Sequence, residues 1–281
     1  MSERSQSTVA AHPDRAAVVI STYNRPDFLQ LVLEGYRRQD TANFTIYIAD
    51  DGSSKATAGL IRDIQPDFPV EIHHAWHADN GFRKARIHNL VLQEVSEPYV
   101  ILTDGDCIPM PSLISTHLRL ARPDCLITGS RILLSQSYTA TLLESSRLPD
   151  MHMGALIGHR LHRRINRLLP MLLPTRLAGP SQRLLGIHGC HMSCWRDDLL
   201  RINGFDESFE GWGREDSDLV ARLFHAGIQR CNLRGCPVWH LWHPEEDRRR
   251  VPENDLLLRQ CLEQKRIRAI RGIGELEEGE A

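Results

Sequence analysis

The sequence predicts an α/β fold, a doubly wound and mostly parallel sheet with helices on both faces. Between residues 16 and 102, short apolar runs of strand length alternate with stretches whose apolar residues recur at helical spacing. Three of those runs end in acids or small polar residues, at the edge where open α/β sheets carry their ligands. A chain of 281 residues, 41% hydrophobic and 25% charged, suits one such domain with appendages. Gly-x-Gly-x-x-Gly and the Walker lysine motif are absent, which removes support from dinucleotide and P-loop readings.

Residues 1–15 are polar, lack the apolar core of a signal peptide, and read as a disordered lead-in. Residues 16–20 form the first strand. Pro26 and Asp27 then open a helix with Phe28, Leu31, Val32 and Tyr36 at helical spacing. Residues 44–49 are the second strand, a helix passes through Ile61 and Ile64, residues 69–74 are the third strand, and 82–95 are helical. The run from Tyr99 to Leu102 reads as a strand buried on both faces. It delivers Asp104 and Asp106 across Gly105, and two carboxylates so close repel unless a cation sits between them.

The net charge of −2 selects no partner, but its distribution is uneven. Residues 151–196 hold no Asp or Glu and seven arginines, at 160, 163, 164, 167, 176, 183 and 196. On one helix, Arg160, Arg163, Arg164 and Arg167 would share a face. That predicts a basic amphipathic helix over 154–176, able to meet an anionic membrane surface; missing aromatics argue against nucleic acid. Residues 219–226 form a short helix ended by Gly227, and residues 256–270 a packing helix before a frayed acidic tail. Seven cysteines in no regular framework point to a reducing compartment, and no apolar run approaches the roughly 18 residues of a bilayer span. The expected location is cytoplasmic, with peripheral contact at the inner face of the membrane.

Four stretches occur in a telling order: Val18-Val-Ile-Ser-Thr-Tyr-Asn-Arg-Pro26, Asp50-Asp-Gly-Ser-Ser54, Asn80-Gly-Phe-Arg-Lys-Ala-Arg86 and Thr103-Asp-Gly-Asp106. In this the chain resembles family 2 glycosyltransferases of the GT-A fold. Downstream, Gly204-Phe-Asp-Glu207, Gly211-Trp-Gly213 and Glu215-Asp-Ser-Asp218 resemble the carboxyl-terminal region of galactosyltransferases, N-acetylgalactosaminyltransferases and chondroitin-type polymerases. Together the resemblances cover residues 16–243.

The resemblance implies a division into a nucleotide-sugar half (16–110), a basic helical insertion (111–185), an acceptor and catalytic half (186–243), and a helix with acidic tail (244–281). It implies donor binding by Thr22, Tyr23, Asn24, Arg25, Asp51, Asn80, Arg83, Lys84, Arg86, Asp104 and Gly105. Asp51 could accept from a uracil N–H, Asp104 from ribose hydroxyls, and Arg83, Lys84 and Arg86 could neutralise a diphosphate. It also implies a divalent cation, Mn²⁺ or Mg²⁺, on Asp106 with His240 or His243. Asp216 is the implied general base, at a helix start that would keep it ionised, and Glu215 its partner in orienting the acceptor. Trp212 between Gly211 and Gly213 offers an apolar face for a sugar ring. His191, where many relatives carry Asn, is an acceptor candidate, and a zinc site on His188, Cys190, His191 and Cys194 has irregular spacing.

The expected activity is inverting transfer of a hexose or N-acetylhexosamine, galactose or N-acetylgalactosamine favoured, from a UDP-sugar to a carbohydrate or lipid-linked saccharide. Surface polysaccharide or lipopolysaccharide synthesis of bacterial type would use it. Two rivals stand beside it: a retaining transferase on the same fold, and a non-catalytic nucleotide- or sugar-binding module.

Overall fold

Strands covered on both faces need apolar residues at successive positions, and β1 (Ala16–Thr22) has them. Ala16, Val18 and Ile20 enter one core with Phe28, Leu29 and Val32, while Ala17 and Val19 enter a second with Ile87, Val91 and Leu219. The computed structural model describes residues 12–245 and 247–276. After β1 come α1 (Pro26–Arg37), β2 (Phe44–Asp50), α2 (Lys55–Ile64), β3 (Ile72–Trp76), α3 (Lys84–Glu94) and β4 (Tyr99–Asp104). These four strands are parallel, in the order β3-β2-β1-β4. The register sets Thr22 opposite Asp50 and Ser21 opposite Asp104, so their carboxyl ends form one edge.

The chain continues through β5 (Cys107–Ile108), α4 (Leu113–Leu120), β6 (Cys125–Thr128), β7 (Arg131–Leu133) and α5 (Gln136–Ser145). Next are α6 (Met153–Leu161), α7 (Leu169–Leu172), β8 (Arg176–Ser181), β9 (His191–Trp195) and α8 (Arg196–Arg201). The last elements are α9 (Glu215–His225), β10 (Gln229–Arg234), β11 (Val238–His240) and α10 (Val251–Gln264). β9, β6, β10 and β8 extend the large sheet beyond β4, with β9 antiparallel to both β4 and β6. A small sheet, β5-β11-β7, sits apart and sets His240 opposite Cys107. The α/β class and the mostly parallel, doubly covered sheet agree with the sequence.

Four expectations need correction. The basic helix over 154–176 does not form: α6 ends at Leu161 and Arg163 takes a left-handed φ of 54°. The chain turns there because Ile165 is drawn into the core, bridged to Leu134. Arg164 then lies over the Tyr138 ring and Arg167 donates to the Arg131 carbonyl, so the four arginines share no helix face. Residues 111–185 are not a helical insertion either, because β6 and β8 belong to the large sheet and β7 to the small one.

Residues 12–15 are packed rather than loose: His12 bonds the Ala121 carbonyl, and Arg15 donates to Thr45 and Phe44 and faces Glu97. The rest of the expected lead-in lies outside the described residues. The last helix ends at Gln264, six residues short of expectation, because Lys265 is left-handed (φ 50°). Arg266 then reaches back to Asp206 and Asp218. Residues 277–281 of the expected tail lie outside the described residues. Among the described residues no helix is long and apolar enough to cross a membrane.

Candidate active site

The four parallel strands bring their polar ends to one cleft. Asp104, at the end of β4, accepts from Ser21 Oγ at 2.7 Å and from Lys84 Nζ at 2.9 Å. Gly105 folds back on β1, its N–H donating to the Ser21 carbonyl at 2.7 Å. A Cβ there would sit 3.0 Å from that carbonyl oxygen and 3.2 Å from Thr22 Oγ1, a tight fit that a larger residue would enter only by pushing β1 aside. Burial opposes the Lys84 charge, yet Asp104, Asp216 and Glu215 together hold its affinity for the proton well above the ordinary. Burial likewise opposes ionisation of Asp104, and Lys84 overcomes it, so the carboxylate stays below its usual range.

The remaining donor candidates divide. Thr22 is buried and its carbonyl accepts from the Asp51 N–H at 3.0 Å. Tyr23 is exposed at the cleft mouth and donates to Asp79 at 2.9 Å. Asn24, left-handed at φ 49°, accepts from the Ser54 N–H and donates its own N–H to Ser53 Oγ. Arg25 lies over the Phe28 ring, and Asn80 is exposed in the loop before α3. Asp51 is buried, with one oxygen on His77 Nε2 at 2.7 Å and the other accepting the Arg83 N–H at 2.9 Å. Within the protein it thus ties the β2 end to the loop preceding α3.

Arg83 donates its guanidinium to the Ala78 carbonyl, and Arg86 pairs with Glu207 at 3.3 Å. Residues two apart on a helix point about 200° apart, so Lys84 faces the acids and Arg86 does not. Glu207 also accepts from Asn89, making that pair a brace between α3 and the loop after α8.

Asp106, His240 and His243 converge. Antiparallel pairing of β5 with β11, continued by Leu241 N–H to the Asp106 carbonyl at 2.9 Å, brings the segments together. Asp106 Oδ2 lies 3.0 Å from His243 Nε2 and 3.6 Å from His240 Nε2. One ligand atom from each falls within 4.8 Å of the others, the one such group of His, Cys, Asp and Glu among the described residues. Both histidines left open by the sequence are therefore at the site. Burial would raise the Asp106 pKa, but the two imidazoles outweigh it and hold the carboxylate below its usual range. One carboxylate and two imidazoles fit a divalent transition ion better than Mg²⁺, which prefers oxygen throughout.

Across the cleft, α9 begins at Glu215. Asp216 accepts the Gly189 N–H at 3.0 Å, and a Cβ on Gly189 would fall about 2 Å from its carboxylate, so only glycine allows this approach. The helix start was expected to keep Asp216 readily ionised. Burial instead pushes its pKa up and Asp104 adds to this, with Lys84 and the Gly189 N–H opposing. Glu215 accepts from the Gly213 N–H, and burial with the Asp216 charge pushes it up to about 7. Trp212 is partly exposed under the Arg248 guanidinium, 5.3 Å from its ring centre. Gly211 and Gly213, at φ 71° and 107°, turn the chain on either side of it.

His191 is not presented to the cleft surface. It is buried, with Nδ1 on the Ser130 carbonyl at 3.2 Å and Nε2 at 2.9 Å from His117 Nε2. Burial lowers the pKa of both rings, His191 to about 4, so both are neutral. Nδ1–H of His191 must then donate to the carbonyl, and its Nε2 must accept from His117. His117 Nδ1 in turn accepts from Ser193 Oγ at 2.7 Å, and Ser193 accepts from Tyr99 at 2.9 Å. Every member is satisfied, which is what a buried polar chain requires.

Sequence reasoning missed Ser21, His77, Asp79, Gly189 and His117. Gly189 carried a signal, a glycine beside the Cys190 cluster; the others are single polar residues whose partners lie far along the chain.

The family model described as "Glycosyl transferase family 2" matches residues 17–173, and that described as "N-terminal domain of galactosyltransferase" matches residues 175–243. Chondroitin synthase of Escherichia coli is 24% identical over 248 residues, 83% of this chain and 36% of the relative. The chain thus spans about a third of that protein's length. The crystal structure of S. aureus TarS 1-349 in complex with UDP-GlcNAc superposes with a TM-score of 0.61 at 13% identity, covering 94% of this chain and 68% of that one. The mannosyltransferase PcManGT of Pyrobaculum calidifontis, in complex with GDP-Man and Mn²⁺, gives 0.54 at 19% identity over 83% and 59% of the two chains. The shared fold is GT-A.

Proposed function

The chain belongs to glycosyl transferase family 2, and from that premise we propose an inverting, metal-dependent transferase acting on a UDP-sugar. The sugar is a hexose or N-acetylhexosamine, and the galactosyltransferase match over 175–243 favours galactose or N-acetylgalactosamine. The acceptor is a carbohydrate, free or lipid-linked, of the kind used in bacterial surface polysaccharide or lipopolysaccharide, and the work is done in the cytoplasm. Similarity to a chondroitin synthase and to a transferase solved with UDP-GlcNAc supports this class.

One observation carries the reading: Asp216, half-buried, proton-seeking and positioned by Gly189, lies within electrostatic reach of the Lys84–Asp104 pair at the donor edge. A base with a raised pKa is suited to take the acceptor hydroxyl proton as that oxygen attacks the anomeric carbon. Attack opposite the leaving diphosphate inverts the configuration. Asp106, His240 and His243 would hold a cation, which when bound offsets charge on the nucleoside diphosphate. Lys84 adds a fixed positive charge beside Asp104, Tyr23 flanks the nucleoside, and Trp212 gives the acceptor ring a flat face.

A screen of nucleotide-sugars for Mn²⁺-dependent hydrolysis identifies the donor, and NMR of the product with an acceptor reads the anomer. Retained configuration would overturn the role given to Asp216, and no turnover with any donor would favour a binding module.

A further inference from the structure

The turn at Arg163 that breaks the expected basic helix leaves a different surface. On α6, Met153, Ile157 and Leu161 follow at i, i+4 and i+8, within about 80° of one another around the axis. They are 56%, 46% and 75% exposed, whereas His159 on the opposite side, and Leu156 about 100° from the ridge's centre, are buried. Three large apolar residues in line on the outside of a nine-residue helix have no folding role. Arg160 flanks the ridge, Arg163 follows its end, and both are exposed. Residues 151–196 contribute no acid to this part of the chain.

We propose that this face of α6 docks on an anionic lipid bilayer, with Met153, Ile157 and Leu161 among the upper acyl chains and Arg160 and Arg163 at the headgroup phosphates. Apolar ridge and cationic flank together match a surface that is anionic outside and apolar just beneath. A second copy of the chain fits less well, because a symmetric contact would set the same arginines against each other. Nucleic acid would satisfy the arginines and leave the ridge without a use.

The docked orientation would be fixed relative to the cleft. His159, on the buried side of α6, meets the Trp239 ring edge-on at 6.1 Å and bonds Tyr138 of α5 at 3.2 Å. Trp239 immediately precedes His240, and Trp242 N–H donates to Thr139 Oγ1 of α5 at 2.9 Å. The segment bearing His240 and His243 is thus braced by α6, which would rest on the membrane, and by its neighbour α5. Docking itself does not depend on the reaction proposed above; only its use, bringing the cleft to a lipid-linked saccharide, rests on that reading.

The test is flotation of the full chain with vesicles of phosphatidylcholine alone or mixed equally with phosphatidylglycerol. Binding to the mixed vesicles only, weakening with salt, is expected. Met153→Ser/Ile157→Ser/Leu161→Ser should weaken it about tenfold or more. Arg160→Gln/Arg163→Asn should weaken it roughly twenty-five-fold, about fivefold for each charge, and Asn suits the left-handed position. Thermal stability and UDP binding should be unchanged in both, which separates loss of docking from loss of the transferase reading. No flotation of the wild type with either vesicle would overturn the proposal, as would binding unaltered by the serine variant. A concentration-dependent dimer abolished by the serine variant, without vesicle binding, would assign the ridge to a second copy instead.

Discussion

Asp104 with Asp106, and Glu215 with Asp216, are two pairs of acids brought to one cleft and pushed in opposite directions. Burial penalises all four charges. At the first pair, cations overcome it: Lys84 lies 2.9 Å from Asp104, and His240 and His243 flank Asp106. Those two carboxylates sit below the ordinary range. The second pair has backbone N–H donors and only the more remote influence of Lys84, so both carboxyls sit above it, Glu215 near 7. The same side chain thus serves opposite ends, one pair retaining cations and the other accepting a proton. Sequence spacing alone does not distinguish them, because their difference lies in what folds against each.

The division of labour is broken most completely by Asp216→Asn. Transfer should fall about a hundredfold to ten-thousandfold, the usual worth of a general base, while UDP binding persists at wild-type affinity. Steady-state assay with calorimetry checks both, and full activity would refute the base assignment. Removing a metal ligand comes next. His240→Ala and His243→Ala should each weaken Mn²⁺ activation by about ten- to a hundredfold, read as the Mn²⁺ concentration giving half-maximal rate. Chelation by EDTA should abolish turnover reversibly. Equal effects in the two variants would establish that both rings contribute, as their convergence on Asp106 implies.

Glu215 extends the contrast to stability. Its folded pKa is raised to about 7 from 4.5, so the folded state favours the protonated carboxyl. This stabilising preference is fully present below the unfolded pKa and is lost as pH rises through the folded one. Glu215→Gln should therefore stabilise the fold at pH 8 by on the order of 2 kcal/mol, seen as a higher thermal midpoint, and change it little at pH 4.5. Calorimetry at the two pH values reads the difference; equal shifts at both would show that the cost is steric rather than electrostatic.

Much of this was legible in the sequence because it is local or periodic. The apolar runs of β1, β2 and β4 determine strands buried on both faces, and acids at their ends follow from the pleat and the loop. The convergence of Asp106 with His240 and His243 was readable only by resemblance, since the pairing of β5 with β11 joins residues more than a hundred positions apart. Three features were misread for identifiable reasons. Arg86 shares a short basic motif with Lys84, but helix geometry sends it to Glu207. His191 was an acceptor candidate where many relatives carry Asn, yet it is buried against His117, 74 positions away. Arginine periodicity over 160–167 suggested a helix, but burial of Ile165 under Leu134 ends it.

The smallest expected effect is the sharpest test of the comparison, because it alters only the charge between the two pairs. Lys84 lowers the proton affinity of Glu215 and Asp216 while anchoring Asp104. In Lys84→Met that positive charge is gone, burial and Asp104 remain, and Asp216 must hold its proton more tightly. Because the base works ionised, kcat/KM rises with pH through the Asp216 titration, on a limb already above the ordinary carboxylate range. The variant should move that limb upward by about one pH unit, and Lys84→Arg should restore most of it. A purely structural role for Lys84 would lower the rate at every pH and leave the limb in place. An upward shift with an unchanged thermal midpoint would show that one lysine keeps the donor-side acids charged and sets the pH at which the opposite acid can act.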